Sequence, residues 1–411
     1  MITKKFAKKY FSVFNLEKLP DDPIFGIMSQ FNKDTNPNKI SLTAGTYKTD
    51  ENKPFILNCV RKAQELIVEK KMDHEYLGIE GLKSFVDNSL KVAYTDTNKK
   101  LQEGAIAGIQ TISGTGALYV GFKFLADYYK KSTTVLYPNP TWPNHPEIVK
   151  FVGLTPKTYR YYDLKTQTID MNGLLEDLHN APEGTIVLLH SVAHNPTGLD
   201  PTQDQWLKIF EALKKKKHLP FFDNAYQGFA TGDLDKDGWV VRHYAKDGNV
   251  MLLSQSYAKN FGLYGQRAGC FSVLCQDKSE SDLVMGCLKK IARRVYSNPP
   301  KYGAQIVDIV LSDPSLYKSW KEDLVVMSSR MNLMRKTLHQ ELANVGSKRN
   351  WDHIKNQIGM FAYTGLNKDQ VLKLRKEDSL YFTDDGRISI SGLNTKNVRR
   401  VAECFHKVSN H

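Results

Sequence analysis

Apolar, strand-like runs alternate with helix-like segments through the centre of the chain. Residues 135–137, 185–192 and 219–222 are mainly apolar, and residues 201–217 have the periodicity of a helix. Apolar strands separated by helices are typical of a largely parallel sheet that is covered on both faces. The pattern therefore predicts an α/β fold, and it restricts where a functional site can form.

Polar and aromatic residues follow the ends of these strands. In open parallel sheets, the residues just past the carboxyl ends of the strands line the binding crevice. Five residues with chemically useful side chains occupy such positions: Trp142, Asn195, Asp223, Tyr226 and Lys259. We expect them to share one site at this edge of the sheet.

Lys259 lies in a stretch, residues 256–264, that lacks helical periodicity and connects two apolar runs. A lysine held among aromatic and apolar neighbours can lose its charge and act as an amine nucleophile toward a carbonyl compound. Ser256 and Arg267 add a hydroxyl and a guanidinium, which are suited to binding phosphate. A lone lysine is more often a solvated surface cation, and this stretch alone leaves that alternative open.

A second anion-binding candidate precedes the amphipathic helix that runs to about residue 129. Ser113, Gly114 and Thr115 begin this helix, where free backbone N–H groups and hydroxyls favour an anion. The stretch is not a P-loop, because no Gly-Lys-Ser follows. Simple N-capping by Ser or Thr is the alternative explanation.

Length and charge exclude several classes of protein. A chain of 411 residues suggests two or three domains, or one large α/β domain with a smaller one appended. The net charge of +13 is spread along the chain without a zinc-site spacing, so we expect anionic small substrates rather than nucleic acid. No apolar run approaches the roughly 18 to 20 residues of a membrane span.

Cysteine content and the N-terminal sequence bear on location. The five cysteines form no Cys-x-x-Cys pair, which favours a reducing compartment and predicts neither a disulfide framework nor a metal site. The first sixteen residues lack Asp and Glu and contain Lys4, Lys5, Lys8 and Lys9. We expect a cytoplasmic protein, with a mitochondrial transit peptide as the alternative.

The C-terminal quarter has a different organisation. Apolar positions from 320 to 342 step by three or four, which predicts one long helix with its methionines in the core. Short strands and a final helix from residue 395 follow, which predicts a smaller α+β module. Arg387 opens one of these strands, near the junction of the two domains.

Taken together, four motifs resemble those of the aspartate aminotransferases, which are pyridoxal-5′-phosphate (PLP) enzymes of fold type I. The motifs are Ser113-Gly114-Thr115, His194-Asn195-Pro196-Thr197-Gly198, Asp223-Asn224-Ala225-Tyr226-Gln227-Gly228 and the Lys259 stretch. The resemblance implies a large domain with a mostly parallel seven-stranded sheet between helices, plus a smaller α+β domain. It places the N-terminal arm and the first part of the small domain at 1–49, the PLP-binding domain at 50–325 and the C-terminal domain at 326–411.

The resemblance also implies roles around the cofactor ring. Lys259 corresponds to the Schiff-base lysine, which also carries the proton, and Asp223 to the partner of the pyridinium nitrogen. Tyr226 and Asn195 would hydrogen-bond the phenolic oxygen of the ring, and Trp142 would stack on the ring.

Two histidines, His145 and His190, would support Asp223 according to the resemblance; packing in the core is the alternative. The phosphate would be held by six residues, of which the last reaches across from a second subunit: Ser113, Gly114, Thr115, Ser256, Arg267 and Tyr76.

For the substrate, the resemblance implies that Arg387 binds the α-carboxylate and that Gly45, Trp142 and Asn195 line the pocket. Arg293 of a partner subunit would meet the side-chain carboxylate, and its neighbour Arg294 remains an alternative for that role. Shared active sites of this kind imply a homodimer.

The predicted reaction is reversible amino transfer between L-aspartate and 2-oxoglutarate, with ping-pong kinetics. An aromatic or broad-specificity aminotransferase is the alternative within the class. A PLP lyase and a basic binding protein on a retired enzyme scaffold are the alternatives outside it. Retention of Lys259, Asp223, Arg267 and Arg387 argues against the binding protein, and the pair Arg293 and Arg387 argues against the lyase.

Overall fold

A computed structural model of the chain describes Phe14 and residues 24–409. The N-terminal arm and its basic cluster at Lys4, Lys5, Lys8 and Lys9 lie outside the described residues.

The described helices are α1 (Phe25–Lys33), α2 (Asn58–Glu69), α3 (Lys83–Tyr94), α4 (Lys99–Gln102), α5 (Ser113–Tyr128), α6 (Asn144–Phe151), α7 (Met171–Asn180), α8 (Gln203–Lys215), α9 (Leu234–Lys246), α10 (Lys278–Val295), α11 (Lys301–Ser312), α12 (Pro314–Asn344), α13 (Asp352–Asn356), α14 (Lys368–Asp378) and α15 (Val398–Ser409). The described strands are β1 (Ile40–Ser41), β2 (Ile106–Ile112), β3 (Thr134–Asn139), β4 (Thr155–Arg160), β5 (Tyr162–Asp163), β6 (Thr168–Ile169), β7 (Ile186–His190), β8 (Leu219–Asn224), β9 (Met251–Ser256), β10 (Ala268–Leu274), β11 (Phe361–Tyr363), β12 (Leu380–Tyr381) and β13 (Arg387–Ser389).

A seven-stranded sheet forms the centre of the molecule, in the order β2-β10-β9-β8-β7-β3-β4. Strand β10 is antiparallel to both of its neighbours, and the other neighbouring pairs are parallel. The predicted α/β fold with a mostly parallel sheet is confirmed. The six strands β2, β3, β4, β7, β8 and β9 therefore run in the same direction, and their carboxyl ends lie at the same edge of the sheet.

Both faces of this sheet are buried, because successive residues of a strand point to opposite sides. Phe222 packs in one hydrophobic cluster and its neighbour Phe221 in the other. Ile209 of α8 belongs to the first cluster, and Leu118 of α5 and Ile291 of α10 belong to the second. Helices on both faces explain why the strands are continuously apolar.

The smaller C-terminal module is organised by α12, a helix of 31 residues. Its predicted apolar stripe is buried, and Met327, Met331 and Met334 are core residues as expected. Strand β1 pairs in parallel with β12, which attaches residues near position 40 to this module. The pairing supports the predicted assignment of the N-terminal segment to the smaller domain, whose boundaries stay a prediction.

One strand extends beyond its predicted bounds. Strand β8 continues through Asp223 to Asn224, because Asn224 still pairs with Gln255 of β9, so Asp223 lies inside the strand end rather than past it. Helix α10 begins at Lys278, where the Asp277 side chain accepts from the amide of Glu280 and caps it. None of the helices in residues 24–409 combines the length and apolar character needed to cross a membrane.

Candidate active site

A cavity of about 130 Å³ opens at the edge where the parallel strands end. Thirteen of the predicted site residues line it: Gly45, Ser113, Gly114, Thr115, Trp142, His190, Asn195, Asp223, Tyr226, Ser256, Lys259, Arg267 and Arg387. The expectation of one shared site at this edge is therefore met by the geometry.

Lys259 lies in the loop after β9, with its Nζ 5.4 Å from the centroid of the Tyr226 ring. Burial lowers the pKa of the Lys259 amine; the nearby Asp223 carboxylate opposes this shift, and the Arg267 guanidinium adds to it. The alternative of a solvated surface lysine does not fit this position. A larger share of the amine is neutral than in a free lysine, as a nucleophile or base requires.

Asp223, at the end of β8, lies at the floor of the same cavity. Burial acts to raise the pKa of this carboxyl, but the hydrogen bond from His145, with Nε2 3.2 Å from Oδ2, and the nearby His190 and Lys259 outweigh it and lower the pKa. Asp223 is thus held as a carboxylate despite its surroundings.

A chain of hydrogen bonds extends behind Asp223. The Thr141 hydroxyl lies 2.8 Å from His145 Nδ1 and 3.1 Å from His190 Nε2. The backbone N–H of Asn195 donates to His190 Nδ1 at 3.2 Å. Burial and the neighbouring His145 lower the pKa of His190 to about 3, so His190 is neutral at pH 7.

The donor directions follow from this neutral ring. Because His190 Nδ1 accepts a hydrogen bond, its proton is on Nε2 and is donated to Thr141. The Thr141 oxygen therefore accepts from His190 and also contacts His145 Nδ1, while His145 Nε2 faces Asp223. The His190 ring makes no hydrogen bond to Asp223, because its nitrogens are occupied by Thr141 and Asn195; it supports Asp223 through its proximity and through Thr141 and His145.

Tyr226 and Trp142 form the walls above Asp223. Burial raises the pKa of the Tyr226 phenol, so it is a hydrogen-bond donor at neutral pH. The Trp142 ring lines the cavity and meets His145 edge-on, with ring centroids 5.2 Å apart.

The anion-binding candidate is at the N-terminus of α5. The residue before Ser113 is Ile112, which supplies no side-chain cap, so the N-capping alternative does not hold. The Ser113 amide donates to the Arg267 carbonyl at 3.1 Å, and Ser113, Gly114 and Thr115 line the cavity. Ser113 Oγ and Ser256 Oγ are 3.0 Å apart. A Cβ on Gly114 would lie 3.1 Å from Ser256 Cβ, which is closer than ordinary van der Waals contact.

Arg267 completes this end of the cavity. Its Nη1 donates to the Tyr264 carbonyl at 2.9 Å, and burial lowers the pKa of the guanidinium without neutralising it. The start of a helix, two serine hydroxyls and a guanidinium form a set of groups that is suited to binding an anion such as phosphate.

Arg387 occupies the opposite side of the cavity and is buried. Its Nη1 donates to Asn195 Oδ1 at 3.3 Å and its Nη2 to the Thr43 carbonyl at 3.1 Å, whereas Nε has no partner. No carboxylate within the described range forms an ion pair with it. A buried guanidinium with unused donors is suited to a carboxylate ligand.

Phe361 is a cavity residue that the sequence did not indicate. The Arg387 guanidinium lies over its ring, 4.3 Å from the centroid. A Cβ on Gly45 would lie 3.1 Å from Phe361 Cζ, so a larger residue at 45 would press on this ring. Thr141 was missed as well: its position in a Pro-rich run after β3 was a signal, but nothing in the run indicates the contact with His190.

Three predicted residues do not line this cavity, and one of them, His145, lies behind Asp223. Tyr76 is 88% exposed, and Arg293 is also exposed and donates to the Ser297 hydroxyl. Arg294, the alternative, is exposed too. Among the residues that the structure covers, no group of three or more His, Cys, Asp or Glu side chains could hold a metal ion.

Known proteins share this architecture. Residues 37–405 match the family model described as aminotransferase class I and II. The chain is 46% identical over 395 residues to the mitochondrial aspartate aminotransferase of Gallus gallus, covering 96% of this chain and 93% of the relative.

Two solved structures are also close. The cytoplasmic aspartate aminotransferase of Saccharomyces cerevisiae superposes with a TM-score of 0.93 at 43% identity, covering 96% of this chain and 98% of the other. An aromatic-amino-acid aminotransferase of Burkholderia pseudomallei, covalently bound to pyridoxal phosphate, gives 0.94 at 37% identity, with 97% and 100% covered. The chain belongs to the aminotransferase class I and II family.

Proposed function

We propose that this protein is a PLP-dependent aminotransferase that transfers the amino group between L-aspartate and 2-oxoglutarate, giving oxaloacetate and L-glutamate. The observation that carries the proposal is the arrangement of the Lys259 amine, the Asp223 carboxylate and the Arg387 guanidinium around one cavity. The similarity to aspartate aminotransferases over almost the whole chain supports the same reaction.

The cavity fits PLP on several counts. The α5 N-terminus, Ser256 and Arg267 would hold its phosphate, and Asp223 would pair with its ring nitrogen. Tyr226 and Asn195 would hydrogen-bond its ring oxygen. When bound, PLP supplies an electron sink that makes the Cα–H bond of an amino acid acidic.

The side chains of this protein would then carry out the remaining steps. Arg387 binds the substrate α-carboxylate in a bidentate pair and so fixes the position of Cα. The neutral Lys259 amine takes the proton from Cα, because burial and Arg267 lower its pKa. Release of the first oxo acid before the second enters gives ping-pong kinetics.

We also propose a homodimer with shared active sites. Tyr76 and Arg293 are exposed on the chain and lie outside its cavity, which supports their contributing to the cavity of a partner subunit. Tyr76 would reach the phosphate, and Arg293 would meet the distal carboxylate of aspartate or glutamate.

A cytoplasmic location is proposed, with the mitochondrion as the alternative. The relatives include both a mitochondrial and a cytoplasmic aspartate aminotransferase, so similarity does not favour either compartment. The five cysteines without a disulfide spacing are compatible with both.

An aromatic or broad-specificity aminotransferase is the second candidate function. The close superposition on the aromatic-amino-acid aminotransferase of Burkholderia pseudomallei favours it, because the two classes share one fold. The residue that meets the distal part of the substrate separates the candidates, so Arg293 is the position to test.

The visible absorption of the purified protein, supplied with PLP, tests the main proposal. L-aspartate added without an oxo acid should bleach the absorption and release about one equivalent of oxaloacetate per site. Lys259→Ala should still bind PLP but not turn over. A wild-type protein that stays colourless with added PLP, or a Lys259→Ala protein with near-normal turnover, would contradict the proposal.

A further inference from the structure

Arg335 is a buried cation outside the cavity. It lies on α12 and is 2% exposed, and its Nε and Nη1 have no hydrogen-bond partner. No carboxylate in residues 24–409 lies within ion-pair distance of it. Burial lowers the pKa of the guanidinium to about 9, so it is still charged at pH 7. Burying a charge without an opposite charge lowers the stability of the fold, so this arginine needs a structural or functional explanation.

The guanidinium binds the edge of β11. Its Nη2 donates to the Gly359 carbonyl at 3.0 Å and to the Phe361 carbonyl at 2.9 Å. The Gln357 side chain covers the same edge by bonding both backbone groups of Tyr363. An apolar residue at 335 would leave two buried carbonyls without donors.

The segment held in this way, residues 357–361, carries a wall of the active site. The Phe361 ring lines the cavity, lies under Arg387 and meets the Tyr226 ring edge-on at 6.3 Å. The opposite edge of β11 pairs with β13, where Tyr363 faces Arg387 in register. A shift of this segment therefore moves both the ring and the backbone that place Arg387.

The same segment is in tight contact with the loop of residues 193–198. The Ile358 amide donates to the Gly198 carbonyl at 2.7 Å, and a Cβ on Gly198 would lie 2.7 Å from the Phe361 carbonyl oxygen. A Cβ on Gly359 would lie 2.6 Å from the Ala193 Cβ. This loop carries Asn195, which accepts a hydrogen bond from Arg387.

We propose that Arg335 is a positioning residue for the substrate carboxylate: it holds the 357–361 segment so that Phe361, Asn195 and Arg387 keep their binding geometry. The inference rests on the proposed function, because it assigns Arg387 to the carboxylate. Arg335 does not touch the cavity and acts only through the carbonyls it binds.

Arg335→Met tests this inference, because methionine fills similar space without the donors. Arg335→Lys keeps the charge and a nitrogen that can donate more than one hydrogen bond, as Nη2 does here, but it lacks the rigid planar guanidinium that fixes the direction of those bonds. Leu342→Ala, which removes a buried side chain from the same helix, is the control for general loss of stability.

Two measurements are made on each variant. Hydrogen exchange without PLP reports on the amides of residues 357–363. Kinetics with PLP give KM for L-aspartate and for 2-oxoglutarate, beside the Kd for PLP. We expect faster exchange and KM values raised between about tenfold and a hundredfold in Arg335→Met, with a smaller change in the Kd for PLP, which loses at most its contact with Asn195, and a partial effect in Arg335→Lys.

Unchanged KM values in both Arg335 variants would overturn the inference, whatever their exchange rates. So would a Leu342→Ala protein with the same increase in KM, because the effect would then reflect stability alone. Failure of the proposed function is seen separately: the wild-type protein itself would then not turn over L-aspartate.

Discussion

At the scale of single residues, Lys259 lies between two charges of opposite sign, and each shifts its pKa in a known direction. A carboxylate stabilises the ammonium form, and a guanidinium destabilises it. Relative to the wild-type protein without PLP, Asp223→Asn should therefore lower the pKa of Lys259 further. Arg267→Gln should raise it toward the ordinary value of 10.5.

Reductive methylation over a pH series, quantified at Lys259 by peptide mass spectrometry, measures both shifts. The exposed Lys215 in the same digest corrects for the general reactivity of lysine. Shifts of the same sign in the two variants would contradict the assignment of these charges to the Lys259 environment.

Thr141 bridges two buried imidazoles with one hydroxyl. Thr141→Val leaves both ring nitrogens unpaired, so the free energy of unfolding should fall by about 1–3 kcal/mol. The value of kcat should fall too, because His145 is no longer fixed toward Asp223. Thr141→Ser retains the hydroxyl and should keep the free energy of unfolding, measured in urea, and the kcat, measured in steady-state assays, close to the wild-type values. A Thr141→Val protein with wild-type kcat would contradict the role of Thr141 in fixing His145.

Arg293 decides how the protein discriminates between substrates, if the proposed function holds. Arg293→Ala should lower kcat/KM for aspartate by about a hundredfold or more, because a charged ligand group loses its partner, and should affect phenylalanine far less. Arg294→Ala is the matched control on the same helix. Equal losses for both substrates, or a larger effect at Arg294, would refute this role.

At the scale of elements, the close approach of α5 to the sheet places the anion site. A Cβ on Gly121 would lie 2.4 Å from Phe221 Cζ and 2.6 Å from Phe271 Cε2, and both rings are fully buried. Gly121→Ala should therefore lower the free energy of unfolding by about 1–3 kcal/mol through overpacking. The phosphate site should be displaced with the helix, which weakens PLP binding.

Gly286 on α10 provides the opposite case. It is exposed, and a Cβ there meets nothing within 4 Å. Gly286→Ala should raise the free energy of unfolding by up to about 1 kcal/mol, because alanine is the better helix former. Urea unfolding of Gly121→Ala and Gly286→Ala measures both changes in the free energy of unfolding. If Gly121→Ala were stabilising, α5 would not be packed closely against the sheet.

At the scale of the whole molecule, shared active sites can be tested by mixing two inactive proteins. In a mixed dimer of Lys259→Ala and Arg293→Ala, one site combines a native Lys259 with a native Arg293 from the other subunit. Random reassociation should restore about a quarter of the wild-type aspartate activity. If mixed dimers form but the aspartate activity does not recover, Arg293 acts in the active site of its own subunit or in no active site.

Prediction from the sequence was most successful where the signal is local. Continuous apolar runs and helical periodicity depend on residues that are neighbours along the chain, and they predicted the sheet, the long helix and the shared edge. The family resemblance added roles to residues such as Asn195 and Arg387, which local pattern alone left unassigned.

Contacts between distant segments could not be predicted in this way. Thr141 and His190 are 49 positions apart, and Arg335 and Phe361 are 26 apart, in different elements. A threonine after a strand and an arginine on a long helix have many ordinary explanations, such as a turn and a solvated charge.

What the sequence determined by itself is therefore the fold class and most of the cavity-lining residues, because parallel strands bring their carboxyl ends to one edge whatever else is packed around them. Only the tertiary structure decided which nitrogen of His190 carries a proton, and which buried cation supports the substrate arginine. Those properties depend on burial and on hydrogen-bond partners that come together only when the chain has folded.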